Sequence, residues 1–463
     1  MTVTPGISEA LAARVANTRF EELPPAAISA AKASFIDALG VSLAASTLGE
    51  GCEAFAEIAR ANGVGPCSLL GHGTRVQLLS AVLANGALAH AIDFEDALDG
   101  APVHPNAAVM PAALALSEQL RCDGKALLTA LVIGCDITCR LGRALTINPD
   151  ELGWYPPPIL SAFGAAAAAA SLLQLNQAQV LDTFSLLLTQ TGCSNQFKTA
   201  PESMIRGVRD AIPAHAGTLS ALLAARGVRG FPAPIEGPSG FYALFAQGRY
   251  DPEPLLKQLD SYYLGVEVSL KPWPSCRGTH GFVEAALRLR AHGDVTPSNI
   301  RRIVLRGHPL QQMLVRPAQQ KQRPATAIDA KFSLPYTVAR ALVHGELSLR
   351  SFDANALSDS TVLALAARVA YETDRAAGDR WNGDTVVCEL EDGTERREYI
   401  EFPRGHPSRP MSSADTAAKF IDCAAYAIHP LAVGAADEIL ETVAALEEVA
   451  DCGAAFAALG DGA

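Results

Sequence analysis

The sequence predicts a mainly α-helical protein, in which a large all-helical domain, a helical bundle, is interrupted by a smaller α+β domain. Three observations lead to this prediction. Apolar residues return at helical spacing from Ile7 to about residue 270. Strand patterns follow the run KPWPSCRGTH, and helical patterns resume after PRGHPSRPMS. We therefore assign residues 1–270 and 405–463 to the helical domain and residues 271–404 to the inserted domain.

The helices of the first domain are predicted from their broad apolar faces. A helix that is apolar over so much of its surface has to pack against other helices. Ala and Gly dominate these segments and aromatic residues make up only 6% of the chain, so the helices can approach one another closely. The segments are PPAAISAAKASFIDALGVSLAA, VQLLSAVLANGALAHAI, GKALLTALVIGCDITCRLGRAL and HAGTLSALLAARGV.

The inserted domain is predicted from a mixture of strand and helix patterns. IRRIVLRG alternates like a strand, and DTVVCELEDGTERREYIEF has the pattern of a hairpin with Asp392 and Gly393 at its turn. Between them, SLPYTVARALVHG and DSTVLALAARVAY have helical patterns. The tail segments SADTAAKFIDCAAYAI and ADEILETVAALEEV are helical again, and we expect them to pack on the first part of the chain.

Composition and charge argue against several classes of function. A net charge of −12 disfavours general binding to nucleic acid or to an anionic membrane, because both need a basic surface. A local group of Arg and Lys can still bind a small anion. The ten Cys form no CxxC and no zinc-type spacing with His, which indicates buried thiols in a reduced compartment. We expect a cytoplasmic protein without a signal peptide, and FGAAAAAASLLQL is too weakly apolar for a membrane span.

The first stretch that can carry chemistry is HAIDFEDALDGAPVHPNAAVMPAALALSE, which starts at His90. If the preceding helix continues, His90 and Asp93 share one of its faces, and Asp96 follows three residues later. His104 precedes the next helix, which Asn106 could cap. Converging carboxylates and imidazoles can serve as acid/base groups. The residue pattern alone nevertheless favours the alternative, a solvated acidic loop.

Three further stretches contain groups that suit a carboxylate ligand. SLKPWPSCRGTHGFVEAAL places Lys271 and His280 before a helix, where backbone amides and basic side chains can bind an anion; a proline-rich domain junction is the alternative. ESMIRGVRDAIPAHAG contains Arg206 and Arg209, and DAKFSLPYTVARAL contains Tyr336. Taken singly, these last two stretches are more typical of surface charge or core packing than of catalysis.

Together, these stretches resemble the MmgE/PrpD family, whose members include 2-methylcitrate dehydratase, cis-aconitate decarboxylase and iminodisuccinate epimerase. Family members carry NGALAHALDFDD followed by HPSAAVLPALLALAE, where this chain has NGALAHAIDFEDALDGAPVHPNAAVMPAALALSE. The family runs K-x-x-P-S-C-x-x-T-H, FSLPY and PKGDPxNPLS match KPWPSCRGTH, KFSLPY and PRGHPSRPMS. No dinucleotide-binding G-x-G-x-x-G, P-loop, G-x-S-x-G or H-E-x-x-H motif occurs, which disfavours nucleotide-driven, nucleophile-elbow and zinc-protease chemistry.

The resemblance covers nearly the whole chain and implies a specific architecture and chemistry. The inserted domain would act as a lid, with the active site between the two domains of a homodimer. The substrate would be a small di- or tricarboxylate, and no cofactor or metal would be needed. The catalytic residues that the resemblance implies are Asp93, His104, Tyr155, Lys271 and His280, and the substrate-binding residues are Arg206, Cys276, Arg277, Thr279, Lys331 and Tyr336.

Three departures from the family pattern concern the acid/base groups. Ala97 stands where the decarboxylase and dehydratase branches have Thr, Tyr155 where their F-H-P-T run has His, and Arg206 where they have Lys. A guanidinium can clamp a carboxylate but transfers protons poorly, because it stays charged. Losing His and Lys therefore changes the set of groups that can move protons.

Three functions are compatible with this pattern. We expect removal of a proton α to a carboxylate, with cationic side chains that stabilise the enolate-like charge. A lyase would then expel water or carbon dioxide from the neighbouring carbon, and we prefer this reaction because it is the commonest among characterised relatives. An epimerase or isomerase would return the proton to the opposite face, with Tyr155 as one base and Lys271, His280 or Asp93 as the other. The third possibility is a carboxylate-binding protein without catalytic activity.

Overall fold

The computed structural model describes residues 6–148, 151–200, 203–373 and 383–460, and helices dominate there, as predicted. The helices are α1 (Ile7–Asn17), α2 (Pro25–Leu48), α3 (Cys52–Ala61), α4 (Leu78–His90), α5 (Asn106–Leu120), α6 (Gly124–Arg143), α7 (Pro156–Leu172), α8 (Gln177–Leu187), α9 (Ile205–Val208), α10 (Ala211–Ala225), α11 (Phe241–Ala246), α12 (Glu253–Leu256), α13 (His280–Ala291), α14 (Ala318–Gln322), α15 (Ala327–Lys331), α16 (Leu334–His344), α17 (Ala354–Leu357), α18 (Ser360–Ala366), α19 (Ser413–Ala424), α20 (Ala435–Ala444) and α21 (Cys452–Ala455). The strands are β1 (Cys67–Leu69), β2 (Thr74–Val76), β3 (Ala97–Leu98), β4 (Val268–Ser269), β5 (Ile300–Gly307), β6 (Val369–Thr373), β7 (Asp384–Leu390) and β8 (Glu395–Ile400).

The chain divides into two compact units. The first, here called the helical unit, comprises Met1–Lys198, Met204–Val268 and Ser412–Ala463. The second, here called the mixed unit, comprises Thr199–Ser203 and Ser269–Met411. The tail helices α19, α20 and α21 therefore belong to the same unit as the first twelve helices.

Close packing of small residues builds the core of the helical unit. α7 contacts α5, α6, α8 and α10, and every alanine of its run from Ala165 to Ala170 is fully buried. α6 and α7 approach most closely at two glycines. A Cβ atom on Gly164 would lie 2.5 Å from the Gly134 carbonyl oxygen and 2.0 Å from Thr138 Oγ1. Any larger residue at Gly164 would therefore push the two helices apart.

One helix of this unit is long and apolar enough to cross a bilayer by length and composition alone. This is α2, and 67% of its apolar 18-residue window is buried inside the protein. It contacts α4, α5, α6 and α19. A core helix passes the same test of length and composition, so these two properties are weak evidence for a membrane span.

The mixed unit is built on a four-stranded sheet with the strand order β6-β5-β7-β8. β5 pairs in parallel with β6 and antiparallel with β7, which pairs antiparallel with β8. The predicted hairpin turn is confirmed: the Asp392 carboxylate accepts a hydrogen bond from the Thr394 amide, and Gly393 has a φ of 84°. α13 packs on α16, β7 and β8 and covers this part of the sheet.

The helix prediction for DSTVLALAARVAY is wrong in its second half. α18 ends at Ala366, and Val369–Thr373 instead form β6 beside β5. A short apolar run with β-branched and aromatic residues fits either structure by its periodicity, and the neighbouring strand decided the outcome. The helix predicted for SLPYTVARALVHG is confirmed as α16, which Ser333 caps through the Tyr336 amide.

A buried arginine joins α6 to the segment that follows α11. Arg140 donates to the Asp136 carboxylate over 2.8 Å and to the backbone carbonyls of Pro254, Lys257 and Tyr262 over 2.8–3.1 Å. Both charged side chains of this network are almost fully buried. The guanidinium therefore satisfies one charge and three carbonyl groups that have left water.

Arg140→Met should strongly destabilise the helical unit. The variant leaves the Asp136 charge and three carbonyls without their donor, which typically costs about 3–5 kcal/mol for a broken buried pair. The free energy of unfolding, measured by urea denaturation, checks this prediction. Lys257→Ala is the control, because Lys257 is exposed and its pair with Glu253 lies at the surface, where ion pairs contribute little. Equal stability of the two variants would contradict the proposed importance of the network.

Candidate active site in the helical unit

The loop between α4 and α5 is buried, which corrects the expectation of a solvated acidic loop. Asp93 and Glu95 are fully buried and Asp96 is 1% exposed. α4 ends at His90, so His90 and Asp93 do not share a helical face as expected. Asp93 instead has a φ of 50°, a left-handed conformation that Asp tolerates better than most residues. The loop turns its carboxylates inward.

Two histidines contact the same carboxylate oxygen of Glu95. His90 Nδ1 makes a very short hydrogen bond to Glu95 Oε1, and His104 Nδ1 lies 2.9 Å from the same atom. The two imidazole ring centroids are 5.1 Å apart. Asp93 Oδ1 lies 3.9 Å from His90 Nδ1. The predicted residues Asp93 and His104 are therefore brought together, with His90 and Glu95 between them.

Backbone contacts define the protonation of the His104 ring. His104 Nδ1 lies 2.8 Å from the carbonyl oxygen of Asp96. A carbonyl oxygen only accepts hydrogen bonds, so Nδ1 carries the hydrogen, and Nε2 carries the lone pair in the neutral ring. The His104 side chain is 16% exposed, whereas His90 is fully buried. His104 is thus the more accessible basic group of the pair.

Arg209, which the sequence analysis did not assign to the site, supplies a buried guanidinium to this cluster. Its Nε donates to the Asp210 carboxylate over 3.0 Å, its Nη1 donates to the Tyr155 hydroxyl over 2.6 Å, and its Nη2 lies 3.3 Å from His90 Nδ1. Burial lowers the pKa of Arg209, but Tyr155, Asp210 and the nearby carboxylate of the loop outweigh this and raise it. The guanidinium therefore stays charged.

Tyr155 is the predicted site residue that Arg209 holds. It is the residue before α7, and its backbone amide donates to the Cys193 carbonyl over 2.8 Å. The ring of Phe197 packs edge-on at 4.9 Å. Because the Tyr155 oxygen accepts from Arg209, its own hydrogen points to another partner. Arg206 lies in α9 and is half-buried.

Asp96 is buried and holds its proton to an unusually high pH. Desolvation raises its pKa to about 7, helped by the charges of Asp37 and Glu95 and opposed by hydrogen bonds from Asn106. Asn106 does not cap α5 as predicted: Pro105 is the N-cap residue, and the Asn106 amides donate to the Asp96 carboxylate. Asn106 therefore compensates the buried Asp96 carboxylate and does not cap the helix.

A lysine from the tail of the chain anchors the loop. Lys419 on α19 donates to the Phe94 carbonyl over 2.7 Å and to Asp37 Oδ1 on α2 over 2.6 Å. Its ammonium also lies 3.7 Å from the centre of the Phe94 ring. The position of Phe94, between Asp93 and Glu95, is thereby coupled to α2 and α19.

The cluster has the composition of a metal site, but a cation lies beside it. His90, Asp93, Glu95 and His104 offer ligand atoms that all lie within 4.8 Å of one another. The Arg209 guanidinium, however, lies 3.3 Å from His90 Nδ1. A fixed positive charge at that distance opposes a divalent cation. We therefore interpret the His–Glu contacts as hydrogen bonds.

The mixed unit holds the other predicted residues. Lys271 is fully buried, and His280 begins α13 with Nε2 3.1 Å from the Ser275 carbonyl oxygen. Nε2 therefore carries the hydrogen, and Nδ1 is the basic nitrogen of His280. Thr279 Oγ1 lies 2.8 Å from both Ser275 Oγ and the Cys276 carbonyl oxygen. These contacts order the KPWPSCRGTH run around the start of α13.

Lys331 and Tyr336 have structural contacts in this unit. Lys331 Nζ donates to the Pro274 carbonyl over 2.9 Å and lies 4.1 Å from the centre of the Phe352 ring. The Tyr336 hydroxyl donates to the Ser351 carbonyl over 2.7 Å inside the hydrophobic core, and burial raises the pKa of Tyr336. Arg277, also predicted, donates to Ser269 Oγ over 3.2 Å. Their roles in substrate binding stay predictions.

Sequence reasoning missed three members of the cluster. His90 and Glu95 lie in the first chemistry-bearing stretch, but no spacing distinguished them from the other polar residues there. Arg209 lies three residues after Arg206, and the pattern did not separate the two. The available signal was the Arg209-Asp210 pair directly before the apolar helix α10. Two adjacent charges at the start of a buried helix need partners in the interior.

Comparison with known protein families shows which family this chain belongs to. Residues 9–253 match the MmgE/PrpD N-terminal domain, and residues 273–447 match the MmgE/PrpD C-terminal domain. The chain belongs to the MmgE/PrpD family. The resemblance inferred from the motifs is confirmed, and the helical-unit cluster lies within the matched N-terminal region.

The chain is similar to several proteins named as cis-aconitate decarboxylases or as decarboxylase-like. The chain is 28% identical to the cis-aconitate decarboxylase of Mus musculus, over 96% of this chain and 92% of the relative. It is 28% identical to the cis-aconitate decarboxylase of Homo sapiens, over 80% and 77% of the two chains. It is 26% identical to the cis-aconitate decarboxylase-like protein oryM of Aspergillus oryzae, over 83% of both chains.

Asp96→Asn should make the free energy of unfolding depend less on pH. The raised pKa of Asp96 means that the folded protein keeps a proton which the unfolded chain releases above its ordinary value of 3.8. The free energy of unfolding therefore falls as the pH rises towards about 7 and is then constant with respect to this group. In the variant, the part of this fall that Asp96 causes should be absent. Urea unfolding at a series of pH values between the two limits measures it.

Glu118→Gln is the matched control for this substitution. Burial also raises the pKa of Glu118 to about 7, but its carboxylate accepts from Ser68, outside the cluster. Both variants should flatten the dependence of stability on pH, whereas only Asp96→Asn should alter turnover. An unchanged pH dependence in Asp96→Asn would show that Asp96 ionises normally in the folded protein.

Proposed function

We propose that this protein is a lyase that acts on a small di- or tricarboxylate, by decarboxylation or dehydration. The observation that supports this most directly is the His104 ring. Its Nδ1 is held by the Asp96 carbonyl and by Glu95, so the lone pair is on Nε2, next to a cluster with a permanently charged guanidinium. The named relatives are cis-aconitate decarboxylases, which makes carboxylate chemistry the first choice.

The proposed chemistry is proton transfer at the carbon α to a carboxylate. His104 is the acid/base group, and negative charge that develops on the substrate is stabilised by the field of Arg209 and by the Tyr155 hydroxyl. In a dehydration, His104 removes the carbon-bound proton, the electron pair of that C–H bond forms the carbon–carbon double bond, and the hydroxyl group leaves as water with the proton of the Tyr155 hydroxyl. In a decarboxylation, the bond to the carboxylate breaks, the electron pair stays on carbon, and the His104 imidazolium delivers a proton there.

The charge state of the cluster is compatible with an anionic substrate. Four carboxylates in one region would repel it if they were all bare. Asp210 is paired with Arg209, Glu95 contacts two imidazoles, Asp93 lies 3.9 Å from the His90 ring nitrogen, and Asp96 keeps its proton up to about pH 7. The effective negative charge is therefore much smaller than the residue types suggest.

Other expectations from the family resemblance remain part of this proposal. They are the participation of Lys271 and His280, the substrate-binding roles of Arg206, Cys276, Arg277, Thr279, Lys331 and Tyr336, the lid role of residues 271–404, the homodimer and the cytoplasmic location. Tyr155 is a proton donor in this proposal, in place of the His that the family pattern has there. Reactions that need no cofactor suit these residues, because imidazole, phenol and guanidinium groups provide both proton transfer and charge stabilisation.

Turnover in deuterium oxide tests the reaction type. The protein is incubated with cis-aconitate and then with other small polycarboxylates, and the products are followed by proton NMR and mass spectrometry. The expected result is either release of carbon dioxide, with deuterium at the carbon that gains the proton, or release of water to give an alkene. Deuterium uptake at a stereocentre without either loss would overturn the lyase in favour of the epimerase. Measurable binding without exchange or turnover would favour the non-catalytic protein.

His104→Ala and His280→Ala should each reduce turnover at least tens of fold, a size typical of a lost acid/base group. Neither change should unfold the protein, as circular dichroism and thermal unfolding can show. His429→Ala and His292→Ala are the controls in the helical and mixed units, because both side chains are exposed. Near-normal rates in His104→Ala or His280→Ala would remove that residue from the mechanism.

A further inference from the structure

We propose that Glu95 is a positioning residue that holds His104 in the form that can exchange a proton at Nε2. This inference rests on the proposed function, because it assigns the origin of the basicity of His104. It concerns a residue that the sequence pattern did not single out. Glu95 is fully buried, lies in the loop between α4 and α5, and contacts both imidazoles of the cluster.

Glu95 and the Asp96 carbonyl together determine which nitrogen of His104 carries the hydrogen. The 2.9 Å contact with Glu95 Oε1 and the 2.8 Å contact with the Asp96 carbonyl are both made by Nδ1. Both oxygens are acceptors, so the tautomer with hydrogen on Nδ1 is favoured twice. When Nε2 gains a proton from a substrate carbon, the imidazolium forms beside the Glu95 carboxylate, which stays ionised and stabilises it.

His90 holds Glu95 without exchanging protons itself. Its Nδ1 is closer to Glu95 than to the Arg209 guanidinium, and a cation cannot accept a hydrogen bond, so Nδ1 donates to Glu95. Among the described residues, His90 Nε2 has no hydrogen-bond partner. The His90 ring is also fully buried. His90 is therefore a fixed donor, and His104 is the partly exposed one.

The charged and titratable groups around this pair come from five segments of the helical unit. They are one guanidinium, two imidazoles, one phenol and four carboxyl groups. They are His90 at the end of α4, the loop residues Asp93, Glu95 and Asp96, His104 before α5, Tyr155 before α7, and Arg209 with Asp210 before α10.

Glu95→Gln tests the proposal, because it removes the charge and keeps the size of the side chain. The expected result is a decrease in kcat of about tenfold or more with little change in KM, since Glu95 is fully buried and acts through His104. The acid limb of the kcat–pH profile should move to lower pH where His104 acts as the base, because its imidazolium loses the neighbouring negative charge. The alkaline limb should move in the same direction where the imidazolium acts as the acid. Glu95→Asp keeps the charge and should retain the wild-type position of that limb.

Glu118→Gln is the control for neutralising a buried carboxylate elsewhere in the same unit, and it should leave both kcat and the profile unchanged. A wild-type profile in Glu95→Gln would overturn the proposal. A lower kcat with an unshifted acid limb in Glu95→Gln would also overturn it, because that result indicates a structural role only.

Nitrogen-15 NMR of the histidine rings tests the same proposal without turnover. The chain has ten His, and His104→Gln identifies the signals of His104. The wild-type ring should carry its hydrogen on Nδ1, with a slowly exchanging proton that is lost or weakened in Glu95→Gln. Hydrogen on Nε2 in the wild type would overturn the proposal even if Glu95→Gln failed to fold. If no carboxylate is turned over, the proposed function fails while this measurement still decides the role of Glu95.

Discussion

The burial of the acidic loop between α4 and α5 is the constraint on which the candidate site depends. Each ionised carboxylate that leaves water loses solvation energy that only partners in the interior can replace. Glu95 has two imidazoles, and Asp96 has the Asn106 amides and keeps its proton. The partners that compensate these buried carboxylates are themselves acid and base groups, so they lie beside one another. The contacts that stabilise the loop therefore also form the candidate site.

Distant parts of the chain contribute to this arrangement. Lys419 belongs to the tail and binds both Asp37 on α2 and the Phe94 carbonyl in the loop. It lies within the region that matches the family's C-terminal domain, although α19 belongs to the helical unit. The tail is thus a structural component of the site loop. A chain shortened before α19 would lose the donor that fixes Phe94 between two of the buried carboxylates.

Arg209 gives the cluster a different electrostatic character from one built on lysine or histidine. A guanidinium cannot give up its proton near neutral pH, so it stabilises charge but does not transfer protons. Its hydrogen bonds to Asp210 and Tyr155 use its planar set of donors in different directions. In the proposed reaction, proton transfer is left to the His104 imidazole and the Tyr155 phenol. This division of roles is consistent with the departure at Tyr155, where the family pattern has His.

The sequence by itself determined the helical class, the strands after KPWPSCRGTH, the hairpin at Asp392 and Gly393, and the family, because these depend on local periodicity, turn chemistry and contiguous motifs. Only the tertiary structure decided that the acidic loop is buried, that Asn106 binds Asp96 and does not cap α5, and that Arg209 donates to Tyr155. It also decided that Val369–Thr373 form a strand. The physical reason is the same in each case. Desolvation and strand pairing depend on neighbours that are remote in the sequence, and a local pattern does not show which residues those neighbours are.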